Sequence, residues 1–251
     1  MKTYYLFLLS ILFLFLGCTP KNYYVKSDVT TYRIDGEDDP VPSARIDSII
    51  RPYREKLSVV MDEVIGESAG LMEKALPEGG LNNWFADALF NSGDQLFDRK
   101  IDVAIQNYGG LRVSSIGAGP VTRGKIYELM PFDNLAALVV LDSARVQAVC
   151  DNLANYGGGV VSKTLKFGIL EDKAYMIEIH GEPLSGARTY NFLFPDYVVN
   201  GGSIGRIVGG AEREDSPVLI RDVLLMELDR LRKEGEKMKG MPDGRIYFVN
   251  D

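Results

Sequence analysis

Between residues 101 and 141 two apolar runs frame a polar, glycine-bearing turn, and this arrangement constrains the chain more than any other stretch. Leu135–Leu141 reads LAALVVL, seven residues without a polar break. A strand of that kind requires cover on both faces. Upstream, Ile101, Val103 and Ile105 alternate with other residues, the pattern of a strand with one buried face. Directly after it comes Asn107-Tyr108-Gly109-Gly110-Leu111-Arg112. Gly109 and Gly110 let the backbone turn sharply or allow close approach of a ligand. Asn107 carries donors and an acceptor that suit the edge of a base, or else it is a turn former. Arg112 presents a planar fork of donors to oxygen-rich groups, or else it is a solvated charge.

The chain has 251 residues, enough for one substantial domain or two small ones. Apolar residues make up 46% and charged residues 25%, a globular balance. The net charge of -7 argues against a nucleic-acid backbone as partner. Lys2 precedes an apolar run over residues 4–16 that ends in Gly17-Cys18. The run is too short for a membrane helix and fits the core of a signal peptide. A small residue followed by Cys resembles a bacterial lipoprotein cleavage site, although Phe15 stands where that pattern prefers Leu. The expectation is therefore a lipoprotein signal peptide at 1–17, with Cys18 lipidated as the new N-terminus. The other reading is an ordinary signal peptide with an incidental cysteine. The protein would then be an exported bacterial lipoprotein, anchored on the periplasmic or cell-surface side. Residues 18–43 are polar and read as a tether, leaving 44–251 as the folded domain. Cys150 then has no partner for a disulfide and reads as a small core residue.

Along that domain, Ile46, Ile49, Ile50, Tyr53, Leu57, Val60, Met61 and Val64 recur at spacings of three and four, which predicts one apolar stripe on a helix over 44–66. A second helix is expected over 81–96, with Trp84, Phe85, Ala88, Leu89 and Phe90 inward, and a third over 144–153. Gly157-Gly158-Gly159 makes a mobile loop or a surface of close approach. Strands are expected at 164–169, 174–179 and 189–199, a long helix at 218–233 and an edge strand at 245–249. Helices first, then strands mixed with helices, gives an α+β fold: a mixed β-sheet with packed helices.

The central stretch resembles the C-terminal domain of the 5'-nucleotidase family, in which Asn-x-Gly-Gly-Ile-Arg is followed by Leu-Pro-Phe and an apolar strand. Here the order is Asn107 to Arg112, then Leu129-Met130-Pro131-Phe132. The family's Asn-x-Gly-Asn-Leu-x-x-Asp-Ala stretch is matched around Gly80 to Ala88, and the likeness covers roughly residues 60–249. It implies a 5'-nucleotidase C-terminal-domain-like fold in which Phe132 and Tyr197 sandwich a base. Read alone, each ring is more simply a core aromatic. The resemblance further implies that Asn107 meets the base edge, that Arg112 meets ribose or phosphate oxygens, and that Asn200-Gly201-Gly202-Ser203 lies against the ribose. In the last motif Ser203 replaces the family's Asp and brings no charge, so ribose binding should weaken. Lys74 stands near the place of a family Arg, as a point charge.

Gly201-Gly202-Ser203-Ile204-Gly205 matches a hydrolase elbow, but His180, the sequence's single histidine, precedes it where a triad needs one after. Gly119 to Ile126 nearly matches a P-loop, but Ile126 replaces the Mg²⁺-holding hydroxyl and Pro120 removes an amide. Complete family members carry an N-terminal metallophosphatase domain with two ions and several histidines. The expectation is a substrate-recognition chain with no catalytic or metal residues of its own, inactive alone. Divalent metals would sit on a separate metallophosphatase polypeptide, and a nucleotide or nucleoside would be the ligand. The alternative is a ligand-binding or structural surface lipoprotein without a hydrolytic role.

Overall fold

The computed structural model of the protein describes residues 44–249, so the expected signal peptide, Cys18 and the tether lie outside the described residues. The chain divides into two units, Met1–Ser48 and Ile49–Asp251. Of the first, only residues 44–48 are described, as the opening of a helix.

In order, the elements are α1 (Ala44–Met61), β1 (Val64–Ser68), β2 (Met72–Glu73), α2 (Gly80–Gly93), β3 (Val103–Gln106), β4 (Ser115–Ile116), β5 (Gly119–Thr122), α3 (Arg123–Leu129), β6 (Leu135–Leu141) and α4 (Ser143–Asn155). They continue with β7 (Val160–Val161), β8 (Leu165–Leu170), β9 (Lys173–Ile179), β10 (Glu182–Pro183), β11 (Tyr190–Pro195), α5 (Asp196–Asn200), α6 (Gly202–Val208), β12 (Arg213–Leu219), α7 (Ile220–Glu234) and β13 (Ile246–Phe248). The fold is the expected α+β one, a mixed sheet with packed helices.

A five-stranded sheet runs β12-β6-β11-β3-β7. β6 is antiparallel to both β11 and β12, and β11 is parallel to β3. The apolar run of β6 is covered on both sides, as its composition requires. Ala104, Ala136, Leu138 and Leu193 face a core shared with α2 and α7. Val103, Ile105, Val139, Phe192 and Phe194 face a second core shared with α4 and the four-stranded sheet β10-β9-β8-β13. Phe192 and Phe194 are wholly removed from water, and each such burial stabilises by about 1.5–3 kcal/mol. β3 therefore departs from expectation: all four of its residues are buried, because it lies inside the sheet with a layer on each face.

Two further elements depart from expectation, and one open alternative is resolved. α1 stops at Met61, and Val64 opens a strand instead of continuing the helix. None of its residues is buried, so the stripe of Ile49, Ile50, Tyr53, Leu57 and Val60 faces outward. The strand expected over 189–199 ends at Pro195, and the next five residues form α5. In the glycine run after α4, the Gly157 and Gly158 amides donate to the Ala154 and Leu153 carbonyls. A Cβ on Gly158 would lie 2.2 Å from the Pro77 oxygen, so close approach is the correct reading there.

A strap of residues 238–248 lies across the start of α2. A Cβ on Gly240 would fall 2.0 Å from the Gly80 carbonyl oxygen. Glu78 accepts the Gly244 amide at 2.6 Å and the Asn83 amide group at 2.7 Å. Arg245, 5% exposed at its side chain, donates to Asp87, Asp243 and the Val161 carbonyl.

Candidate functional site

The register of three strands assembles one end of the five-stranded sheet. Antiparallel pairing sets Pro195 of β11 opposite Ala136 of β6. The turn just before β6, which carries Phe132 and Asn134, thus lies beside the start of α5, which carries Tyr197. Parallel pairing of β11 with β3 brings Asn107, just past β3, to the same end. There a cavity of about 320 Å³ is lined by Asn107, Gly109, Arg112, Phe132, Asn134 and Tyr197, with Gly110 beneath. Neither ring belongs to a core: Phe132 is 36% exposed and Tyr197 67%.

Several of the lining residues are held by local contacts. The Arg112 amide donates to the Leu129 carbonyl at 2.9 Å, and its guanidinium lies 5.5 Å from the centre of the Phe132 ring. Gly109 and Gly110 form a 3-10 turn with no left-handed residue. Gly110 is glycine for packing, since a Cβ would meet the side-chain amides of Gln106 at 2.7 Å and Asn107 at 2.9 Å. The Asn107 side-chain oxygen is the atom turned against it, buried and without a partner. Asn134 lines the same cavity, and its backbone carbonyl accepts the Ile220 amide at 2.8 Å. The sequence reading did not single it out, although an Asn two places after Phe132 was available as a signal.

Lys74 donates to the Leu111 carbonyl at 2.8 Å and lies 4.0 Å from the centre of the Tyr108 ring. Partial burial, and then the charge of Arg112, hold its ammonium below the ordinary lysine range.

A second cavity of about 450 Å³ adjoins the first and shares Asn107, Gly109 and Tyr197 with it; Leu76, Leu153 and Ile204 make up much of its apolar wall. Asn200 does not reach the ring-lined cavity: its side-chain oxygen accepts from Arg213 at 2.6 Å. Ser203 falls in α6, and its side chain is outside what the structure describes. His180 occupies a tight turn at φ 57°, with Nε2 3.3 Å from Asp102. The Gly119 to Ile126 stretch is β5 leading into α3, with Thr122 accepting the Lys125 amide and Lys125 paired to Glu128. Cys150 is buried in α4, and burial pushes its thiol far above the ordinary range, so it is no nucleophile.

An α+β domain whose sheet end holds a ring-lined, cation-flanked cavity is the class that fold and site define. Residues 64–149 match the family described as 5'-nucleotidase, C-terminal domain. Over 120 residues the chain is 31% identical to the endonuclease YhcR of Bacillus subtilis, a stretch that covers 47% of this chain and 9% of that protein. The fold is similar to a 5'-nucleotidase precursor from Thermus thermophilus, with TM-score 0.69 at 23% identity, covering 83% of this chain and 44% of that one. It is likewise similar to a putative 5'-nucleotidase from Staphylococcus aureus, with TM-score 0.62 at 16% identity, covering 88% and 45%. Over residues 64–149, about a third of its length, the chain is thus similar to the 5'-nucleotidase C-terminal domain, and the solved structures share its fold. It spans less than half the length of either solved structure and about a tenth of the endonuclease.

Proposed function

We propose that this domain recognises a nucleotide or nucleoside for a 5'-nucleotidase-type phosphohydrolase of nucleotide catabolism, the phosphate-cutting chemistry residing on a separate metallophosphatase polypeptide. One observation carries the reading: Phe132 and Tyr197, from distant parts of the sequence, stand exposed on the walls of one cavity with Arg112 beside them. Aromatic rings at a cavity wall stack on any base, since every base has a π-face. Arg112, with Lys74 close by, supplies positive charge for the ribose phosphate end. The division of labour rests on chemistry. A two-ion phosphatase centre rich in histidine cannot be assembled from His180 alone, so the divalent metals are assigned to the partner.

Calorimetry of the purified protein with adenosine, AMP and a UDP-sugar tests the binding. Phe132→Ala should weaken it by about 1–3 kcal/mol, roughly 5- to 150-fold, and Arg112→Ala should weaken AMP more than adenosine. No heat with any of the three would instead favour a structural surface lipoprotein. Robust phosphate release from AMP by the chain alone with Mn²⁺ or Zn²⁺ would refute the separate catalytic partner. The proposal also takes the chain to be an exported, lipid-anchored protein, on the strength of the apolar run over 4–16 and Cys18. A Cys18→Ala variant should then leave the membrane fraction.

A further inference from the structure

We infer that Asp196 and Arg221 form a brace that fixes the spacing of the two clamp rings, and are thus positioning residues for the nucleoside site proposed above, on which this inference rests. Neither residue faces the ligand cavity. Their hydrogen bonds all go to the backbone that carries the rings, or to its immediate neighbours.

One carboxylate oxygen of Asp196 accepts two amides: Tyr197 N–H at 2.7 Å and Leu135 N–H at 3.1 Å. The first amide belongs to one clamp residue. The second lies three places after the other, Phe132, at the point where its turn enters β6. A single atom therefore joins the two backbone segments that carry Phe132 and Tyr197. A carboxylate accepting two amides in this way forms charge-assisted bonds, the stronger kind.

The turn is held at its other side by the start of α7. The Arg221 guanidinium donates through Nη1 to the Met130 and Phe132 carbonyls, each at 3.3 Å, and through Nη2 to Asp133 at 2.8 Å. It lies 4.3 Å from the centre of the Tyr127 ring, and its side chain is only 9% exposed. The neighbouring Ile220 amide takes the Asn134 carbonyl. The turn Met130 to Leu135 is thus pinned at Met130, Phe132, Asp133, Asn134 and Leu135 in succession. Nothing in a surface turn requires so many anchors, and each one further fixes where the Phe132 ring stands relative to Tyr197. Such pre-positioning lowers the ordering cost of binding a flat group between rings.

The test separates positioning from general stability by comparing ligands and by a double-mutant cycle on the full chain. Asp196→Ala should lower adenosine affinity roughly tenfold, while ribose 5-phosphate, which has no base to clamp, should change less than about twofold. In a Phe132→Ala background the same Asp196→Ala change should cost less than about twofold, because there is no longer a second ring whose spacing from Tyr197 the brace could set. Asp196→Asn retains an acceptor oxygen and should restore most of the adenosine affinity. Arg221→Met should follow the same ligand pattern, with Arg221→Lys intermediate. Equal losses for both ligands, or full additivity with Phe132→Ala, would overturn the brace while leaving the clamp intact. Failure of the unaltered protein to bind adenosine would remove both.

Discussion

Asn134 lines the cavity with its backbone carbonyl already engaged by Ile220, so the nucleoside site proposed above would meet a base edge through its side-chain amide. Asn107, singled out for that role from the sequence, has its amide oxygen buried against Gly110 instead. Asn134→Ala is therefore expected to weaken adenosine by about 0.5–1.5 kcal/mol, the worth of one hydrogen bond. Asn107→Ala should weaken it less; titration calorimetry of the two variants decides the order. Cys150 supplies a second prediction of this kind. Its thiol is buried and held in the protonated form, so iodoacetamide should label it only as fast as the domain unfolds. Labelling of the native protein at a free-thiol rate would place Cys150 outside the core.

Among the elements, those with a strong local period or composition were legible and the others were not. LAALVVL announces β6, and the spacing of Val223, Leu224, Leu228 and Leu231 announces α7. β12 escaped because it is a polar edge strand with Pro217 inside it, which only an edge position tolerates. α5 escaped because YNFLFPDYVV is apolar at both strand and helix spacing. Phe132 and Tyr197 were singled out through motif likeness, and the structure brings both to one cavity. Asn134, Asp196 and Arg221 were missed because their roles depend on the β6–β11 register and on where α7 begins, neither of which is written in nearby residues. The same dependence on distant contacts governs the strap over α2. Arg245 is buried, while its partners Asp87 and Asp243 keep contact with solvent, so removing the guanidinium costs its charge-assisted hydrogen bonds. Arg245→Ala should cost about 1.5–3 kcal/mol and lower the Tm by several degrees. A melt within a degree or two of the parent would show the strap to be dispensable.

For the molecule as a whole, acid stability depends on carboxylates held in the charged form. Asp243 is kept below its ordinary range, chiefly by the hydrogen bonds from Arg245. At Glu227, burial alone would raise the carboxyl, but Arg230, Ser92 and Asn91 together bring it below the usual value. In both cases the folded value lies under the unfolded one. Their stabilisation is therefore complete above the unfolded carboxylate range near pH 4 and is lost as pH falls through the lower folded values. Urea midpoints should be flat from about pH 8 to 5 and then drop, and Glu227→Gln should shrink that drop. An unchanged acid limb in Glu227→Gln would assign the effect elsewhere.

The strap has a consequence for how the chain is made. Arg245 meets Asp87 across 158 residues of sequence, and Gly240 seats on Gly80. A nascent chain emerging from the ribosome therefore exposes the opening turn of α2 until almost the whole domain has been synthesised. Docking of that turn therefore waits on residues 238–248, so the domain sets late, as a unit, instead of from its first helices onward.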